Sequence, residues 1–367
     1  NGGVVNVTAT TGNASRAISA DENILITDGN YTIVNSCNGQ AGTSDSYTSL
    51  AITCDKDITI EGGTFNIVMS GTGGKGVKTD AALVIGKDDG TGPAMKIATT
   101  GSKLSGGSTL GSTQPGSNRP GGQGGGWGNG TSSSSGSSSK AIKAQGVAHV
   151  KGGSLYVTTA TDGAEGLESK TSITISGGTH YFQCYDDCIN SSGIITFAGG
   201  TTVCFANGND AVDTNYGRTG AITISGGNIF AYSTKGGAEE GLDCDNNSYI
   251  VVTGGIAVSA GGKQGGSTSS IGSSTQGYYL GTSPSSYSSA NYYTLCNTSG
   301  EAVCTYKFAG NISNSLNLLT APNLGKGSIT ILSGTAKPTA CEVNVNDVFF
   351  INPTVTTSGT VTTVTAK

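Results

Sequence analysis

Four short units in the middle of this 367-residue chain begin with an acid and end with an acid or amide. They read Glu165-Gly166-Leu167-Glu168, Asp187-Cys188-Ile189-Asn190, Asp210-Ala211-Val212-Asp213 and Glu240-Gly241-Leu242-Asp243, starting 22, 23 and 30 residues apart. Each is followed by a Gly-Gly pair, at Gly177, Gly199, Gly226 and Gly254. A repeat this short cannot bury a core alone and must stack on its neighbours, which would line the acids up in columns. Carboxylates one strand apart, about 4.8 Å, repel by about 3 to 4 kcal/mol at an effective dielectric near 20. A hard cation relieves that repulsion, and calcium takes six to eight oxygens at about 2.3 to 2.6 Å in a forgiving geometry. The candidate calcium ligands are Glu165, Glu168, Asp187, Asn190, Asp210, Asp213, Glu240 and Asp243. Asp162, Asp186, Glu239 and Asp245 flank the units as further oxygen donors. The competing reading is a row of solvated corners, where Asp and Asn favour turns through local hydrogen bonds.

The elements that would position these acids are short strands. From Ile18 to about Ala260 the chain returns to three strand-like segments per repeat, as in Gly166–Glu168, Ser172–Ser176 and His180–Cys184. Ile-Thr-Ile in the second segment alternates aliphatic and polar residues at period two, the pattern of a half-buried strand. Earlier repeats put Lys75-Gly76-Val77-Lys78 and Lys140-Ala141-Ile142-Lys143 where the later ones put acids. The lysines are expected to close the acid ladder where metal binding stops, or else to be solvated surface residues. The fold class read from this pattern is all-β, a right-handed parallel β-helix with three short strands per rung and a small C-terminal β-unit.

Residues 1–265 form the expected solenoid, with a Gly/Ser-rich insertion at about 101–139 that contains Trp127, the only tryptophan. Trp127 could stack on a sugar or pin the insertion to the solenoid. Residues 266–367 form a β cap or small β-domain over the open end, with a hairpin turn at Asn297-Thr298-Ser299-Gly300.

Composition narrows the function. Sixty-one glycines and 12% charged residues disfavour a helical protein. The net charge is −5, and eleven of the 24 acids lie between Asp162 and Asp245, a concentrated negative field without a basic stripe. That disfavours nucleic acid and suits metal ions. No apolar run is long enough to span a bilayer. A start at Asn1-Gly2-Gly3, without an initiating Met, is what a chain cut after a signal peptide would show. Of nine cysteines, Cys37 with Cys54 and Cys296 with Cys304 could form bridges. Cys184, Cys188, Cys204 and Cys244 read as small core residues.

The Ile-Ser-Gly-Gly runs, the acid units, the Gly-rich insertion and the tail with Leu324-Gly325-Lys326-Gly327 together resemble a bacterial family of carbohydrate-binding parallel β-helices. That family is related in fold to calcium-dependent pectate lyases, and its members bind cellulose and pectin-like acidic polysaccharides. The resemblance implies a secreted or cell-surface calcium-binding protein that recognises plant-type glycans without catalysis, as a monomer. Tyr181, Tyr185, Tyr216 and Tyr232 lie near the acidic repeats as a potential sugar platform, and Arg218 shares a loop with Tyr216. One alternative is a pectate-type lyase, needing a base for the C5 proton of a uronate, with Lys143, Lys170 and Arg218 as candidates. A base is disfavoured at Lys143, because an adjacent carboxylate raises a lysine pKa. A second alternative is a structural or adhesive stalk.

Overall fold

The computed structural model describes residues 2–40, 48–104, 137–244, 249–263, 269–355 and 359–367. Trp127, most of the 101–139 insertion and Asp245 lie outside the described residues. Every regular element among the described residues is a β-strand, and most of them fall into three parallel ladders to which successive repeats contribute one segment each.

The first ladder runs through Val4–Ala9, Asn30–Asn35, Thr64–Met69, Ala94–Thr99 and Ser154–Thr159. The second runs through Arg16–Ala20, Leu50–Cys54, Lys75–Thr79, Lys140–Ala144, Leu167–Ser169, Ile189–Ser191, Val212–Thr214 and Leu242–Cys244. The third starts with Ile24–Ile26, Ile58–Ile60, Leu83–Ile85 and Ala148–Val150. Beyond them, Ile173–Cys184, Ile195–Ala206, Thr219–Ser233 and Tyr249–Gly261 each serve the third ladder with their first half and the first ladder with their second.

The Gly-Gly pairs are therefore bends inside long strands, not the breaks between strands that the sequence suggests. Gly178, Gly200, Gly227 and Gly255 have φ of 88°, 73°, 75° and 79°, a region other residues resist. They also stack: a Cβ on Gly200 would lie 2.6 Å from the Gly177 carbonyl carbon.

Identical registers stack like on like inside. Ile18, Ile52, Val77, Ile142, Leu167, Ile189, Val212 and Leu242 form one column of the second ladder. Ile33, Ile67, Ile97, Val157, Phe182 and Cys204 form one of the first. These belong to one continuous core. Cys184, Cys188, Cys204 and Cys244 fill it as small apolar residues. All nine cysteines are free. Cys37 and Cys54 turn their thiols to the carbonyls of Thr11 and Glu22, at 3.2 and 2.8 Å, rather than to each other. Cys304 lies opposite Leu295, which puts Cys296 on the other face of its strand and out of bridging position.

The C-terminal strands do more than cap. Leu316–Thr320 pairs antiparallel with Tyr249–Gly261 and with Tyr278–Gly281, closing the edge of the first ladder. A six-stranded sheet built on Tyr292–Cys296, Ala302–Tyr306 and Gly327–Thr335 covers the ladder's flank. A second apolar core forms there, between Val203, Phe205, Phe230, Tyr232 and Val258 on one side and Tyr287, Tyr306, Phe308 and Phe349 on the other.

Candidate functional site

The second ladder brings the acid units into register. Lys78, Lys143, Glu168, Asn190, Asp213 and Asp243 stack as one column. The aliphatic third residue of each unit points into the core, so the fourth faces away from it, while the second, such as Cys188 or Ala211, is itself buried in the core. The second residue is kept small by crowding: a Cβ on Gly166 would sit 2.6 Å from the Cys188 carbonyl oxygen.

The charge changes sign between Lys140-Ala141-Ile142-Lys143 and Glu165-Gly166-Leu167-Glu168, and there the ladder neutralises itself. Glu168 is buried among the ammonium groups of Lys140 at 3.4 Å, Lys143 at 3.0 Å and Lys170, and Glu165 pairs with Lys140. Burial alone would raise the Glu168 pKa, but Lys140 and Lys143 outweigh it and hold the carboxyl at about 2. The lysines offset the charge of Glu165 and Glu168, which disfavours this pair as metal ligands relative to the acids of the later repeats. Lys143 and Lys170 are likewise committed to Glu168, which weakens both as a lyase base.

The remaining acids crowd together. Asp210, Asp213 and Asp243 bring carboxylate oxygens within 4.8 Å of one another. Asn190 bridges Asp187 and Asp213 by donating its amide hydrogens to both, at 2.8 Å each. It therefore turns nitrogen rather than oxygen to the acids, the reverse of a calcium ligand. Asp187 is buried, and its Oδ1 has no hydrogen-bond partner among the described residues. The Glu240 carboxylate accepts the Ser269 amide at 3.2 Å, while the Glu240 N–H donates to Asp210. Burial, followed by the charge of Asp213, pushes Asp187 up to about 8. Burial and Asp243 push Asp210 to about 9 and Glu240 to about 8. The donors on hand are all oxygens, with neither His nor a thiolate among them, since burial holds the Cys244 thiol far above its usual range. Such a set fits a hard divalent cation.

The proposed sugar-binding residues separate. Tyr185 is exposed beside the Asp186-Asp187 corner. Tyr216 packs partly against the core, with the Arg218 guanidinium 5.9 Å from its ring centre, in the loop that follows Asp213. Tyr232 is corrected outright. It is fully buried, stacks on Phe205 at 4.9 Å and accepts the Ala309 N–H on its hydroxyl at 3.0 Å. Ile229 and Ala231 point inward, so Phe230 and Tyr232 must point outward, and two large aromatics on one strand's outer face call for a cover. Tyr232→Phe leaves the Ala309 amide unpaired and is expected to lower stability by about 1 to 3 kcal/mol in urea denaturation, with glycan binding unchanged.

One feature the sequence did not signal is a basic cleft of about 400 Å³ on the same ladder, lined by Arg16, Lys75, Lys78 and Lys143 with Asp55 and Asp80. The Lys75 ammonium is buried and donates to the Gly73 carbonyl at 3.1 Å and to Ser137 Oγ at 2.7 Å. Burial, then Lys143 and Lys140, bring its pKa down to about 7.

Stacked parallel ladders, a sign change along one column and a knot of carboxylates define an all-β protein with a row of oxygen-bearing side chains along one ladder. A family model described as carbohydrate-binding domain-containing protein matches residues 1–211, and the chain belongs to that family. No curated protein and no solved structure matches the chain. Among the described residues no helix is long and apolar enough to cross a membrane.

Proposed function

We propose that this protein is a non-catalytic, calcium-stabilised glycan-binding protein, secreted or held at the bacterial cell surface, whose ladders wind as a right-handed parallel β-helix. Its target is a plant-type polysaccharide, cellulose or a pectin-like acidic glycan. Family membership supports the carbohydrate, and the convergence of Asp210, Asp213 and Asp243 beside the unpartnered Asp187 Oδ1 carries the calcium. Glu240 would complete that ligand set, while Glu165, Glu168 and Asn190 stay outside it. A bound divalent ion would hold the four last repeats in register by removing their mutual repulsion. Affinity electrophoresis in gels containing neutral and acidic polysaccharides tests the reading. Retardation in at least one gel is expected in calcium, and free migration in every gel of a broad panel would sink it.

A second reading, a polysaccharide lyase, draws support from Lys75, whose near-neutral pKa and cationic surroundings suit a base beside a uronate carboxylate. Rising ultraviolet absorbance on polygalacturonate, abolished in Lys75→Met, is its signature. A flat trace leaves the binding protein.

A further inference from the structure

The first ladder carries a straight outward column, Asn66, Lys96, Tyr156 and Tyr181, one residue from each of four successive repeats. Continued, the column becomes Val203, Phe230 and Val258, which vanish beneath the C-terminal sheet. The two tyrosines therefore stand where the covered flank ends. Their rings stack at 5.2 Å with planes 21° apart, and Tyr156 is 38% exposed. The Lys96 ammonium lies 5.8 Å from the Tyr156 ring centre at the far end of the pair.

The C-terminal unit faces this platform with a turn. Tyr156, Tyr181, Asn344, Asn346 and Asp347 line one open cleft of about 530 Å³. The turn is held rigidly. Asn344 donates its side-chain amide to Asp347 Oδ1 at 2.9 Å, and the Asp347 N–H returns to Asn344 Oδ1 at 3.0 Å. Lys337 pairs with Asp347 at 2.7 Å, and the Tyr292 hydroxyl donates to the Asp347 carbonyl at 3.2 Å. Asn346 and Asp347 both take left-handed conformations, φ 49° and 58°, which the tight hairpin turn requires at its centre and which Asn and Asp tolerate, and the Val348 N–H closes the turn on the Val345 carbonyl at 3.0 Å. Fixed by these contacts, the turn faces the exposed Tyr156 ring and the half-buried Tyr181 ring across the cleft and is not a slack surface loop.

Resting on the glycan-binding reading above, we infer that this cleft is the sugar site, and that it takes a neutral glycan: the Tyr156–Tyr181 stack receives the apolar face of a pyranose, and the Asn344–Asp347 turn takes its hydroxyls. The chemistry selects against an acidic sugar. Among the described residues lining the cleft the one formal charge is the Asp347 carboxylate, already paired with Lys337, so the lining offers hydroxyl-binding groups and stacked rings but no cation of its own to hold a uronate. A flat ladder that offers like positions at about 4.8 Å spacing suits a linear chain laid across the repeats. Sequence alone places Tyr181 near such a role but misses Tyr156 and the turn, because their meeting depends on how the C-terminal sheet docks.

The test uses the whole protein in affinity gels containing hydroxyethylcellulose or polygalacturonate, with calorimetric titration of cellohexaose. Retardation by hydroxyethylcellulose is expected, and Tyr156→Ala with Tyr181→Ala should weaken cellohexaose binding at least about tenfold. Tyr156→Phe should keep it. Asn346→Gly keeps a residue that accepts the left-handed turn conformation while removing the amide, so it should weaken binding in a protein that folds as before. Unchanged melting curves for Tyr156→Ala separate lost binding from lost fold. Binding of hydroxyethylcellulose that survives both tyrosine substitutions overturns the cleft and leaves the glycan-binding reading standing. Retardation by polygalacturonate alone overturns the neutral ligand, again without touching that reading. Free migration in both gels and in the broad panel overturns both.

Discussion

Glu168→Gln is expected to cost about 3 to 5 kcal/mol, the range for breaking a buried ion pair from one side. The Glu168 side chain is 2% exposed and meets three ammonium groups. Without its charge, Lys143 loses its partner and Lys140 keeps only Glu165, while both remain largely buried. Urea denaturation of both proteins measures the loss, and a difference below about 1 kcal/mol would show that the lysines simply swing into solvent. Pairing Glu168→Leu with Lys143→Met should recover part of it, since two matched apolar residues cost less than one orphaned charge. The sign with pH follows from the depressed pKa. The Glu168 contribution is fully present above its ordinary 4.5 and is lost as pH falls through about 2. Wild type should therefore shed this stabilisation only in strong acid, whereas the Gln variant lacks it at every pH.

Chelation should make the acid knot behave in the opposite way. Asp187, Asp210 and Glu240 have folded pKa values raised to about 8, 9 and 8, so they favour the folded state at acid pH and oppose it as they are forced to ionise. In EDTA the melting temperature is expected to fall between pH 5 and 7, a window below the titration of Lys75 and Lys140 at about 7 and 8. Calcium at about a hundred times its dissociation constant adds about 2.7 kcal/mol, a rise of several degrees, and flattens that slope. Asp210→Asn with Asp243→Asn should abolish the calcium response and, in EDTA at pH 7, melt higher than wild type, because it removes the repulsion without needing an ion. Melting curves that ignore both calcium and chelator at pH 7 would contradict the metal reading.

Much of this was readable in the chain. The four-residue units and their Gly-Gly partners announce stacked strands because a period-two aliphatic pattern and a left-handed bend are local demands, met by residues a few positions apart. The sign change from Lys140 and Lys143 to Glu165 and Glu168 is equally visible, and it carries the expectation that lysines close the acid ladder there, though not which acids they take up. Residue types say that acids align, but not that three lysine stems reach the same carboxylate before a cation does. Tyr232 failed for a related reason. Its own strand marks it as outward-facing, and only the docking of Phe308 and its neighbours makes outward mean buried.

By itself the sequence determined the strand pattern, the small-residue corners and the alignment of like charges, since each depends on spacing within one repeat or between neighbours. The tertiary structure decided which acids stay unneutralised, which aromatics meet solvent, and where the Asn344–Asp347 turn comes to face Tyr156 and Tyr181. Those outcomes depend on side chains from segments up to nearly two hundred residues apart, whose approach is set by the burial of the second apolar core and leaves no periodic trace along the chain.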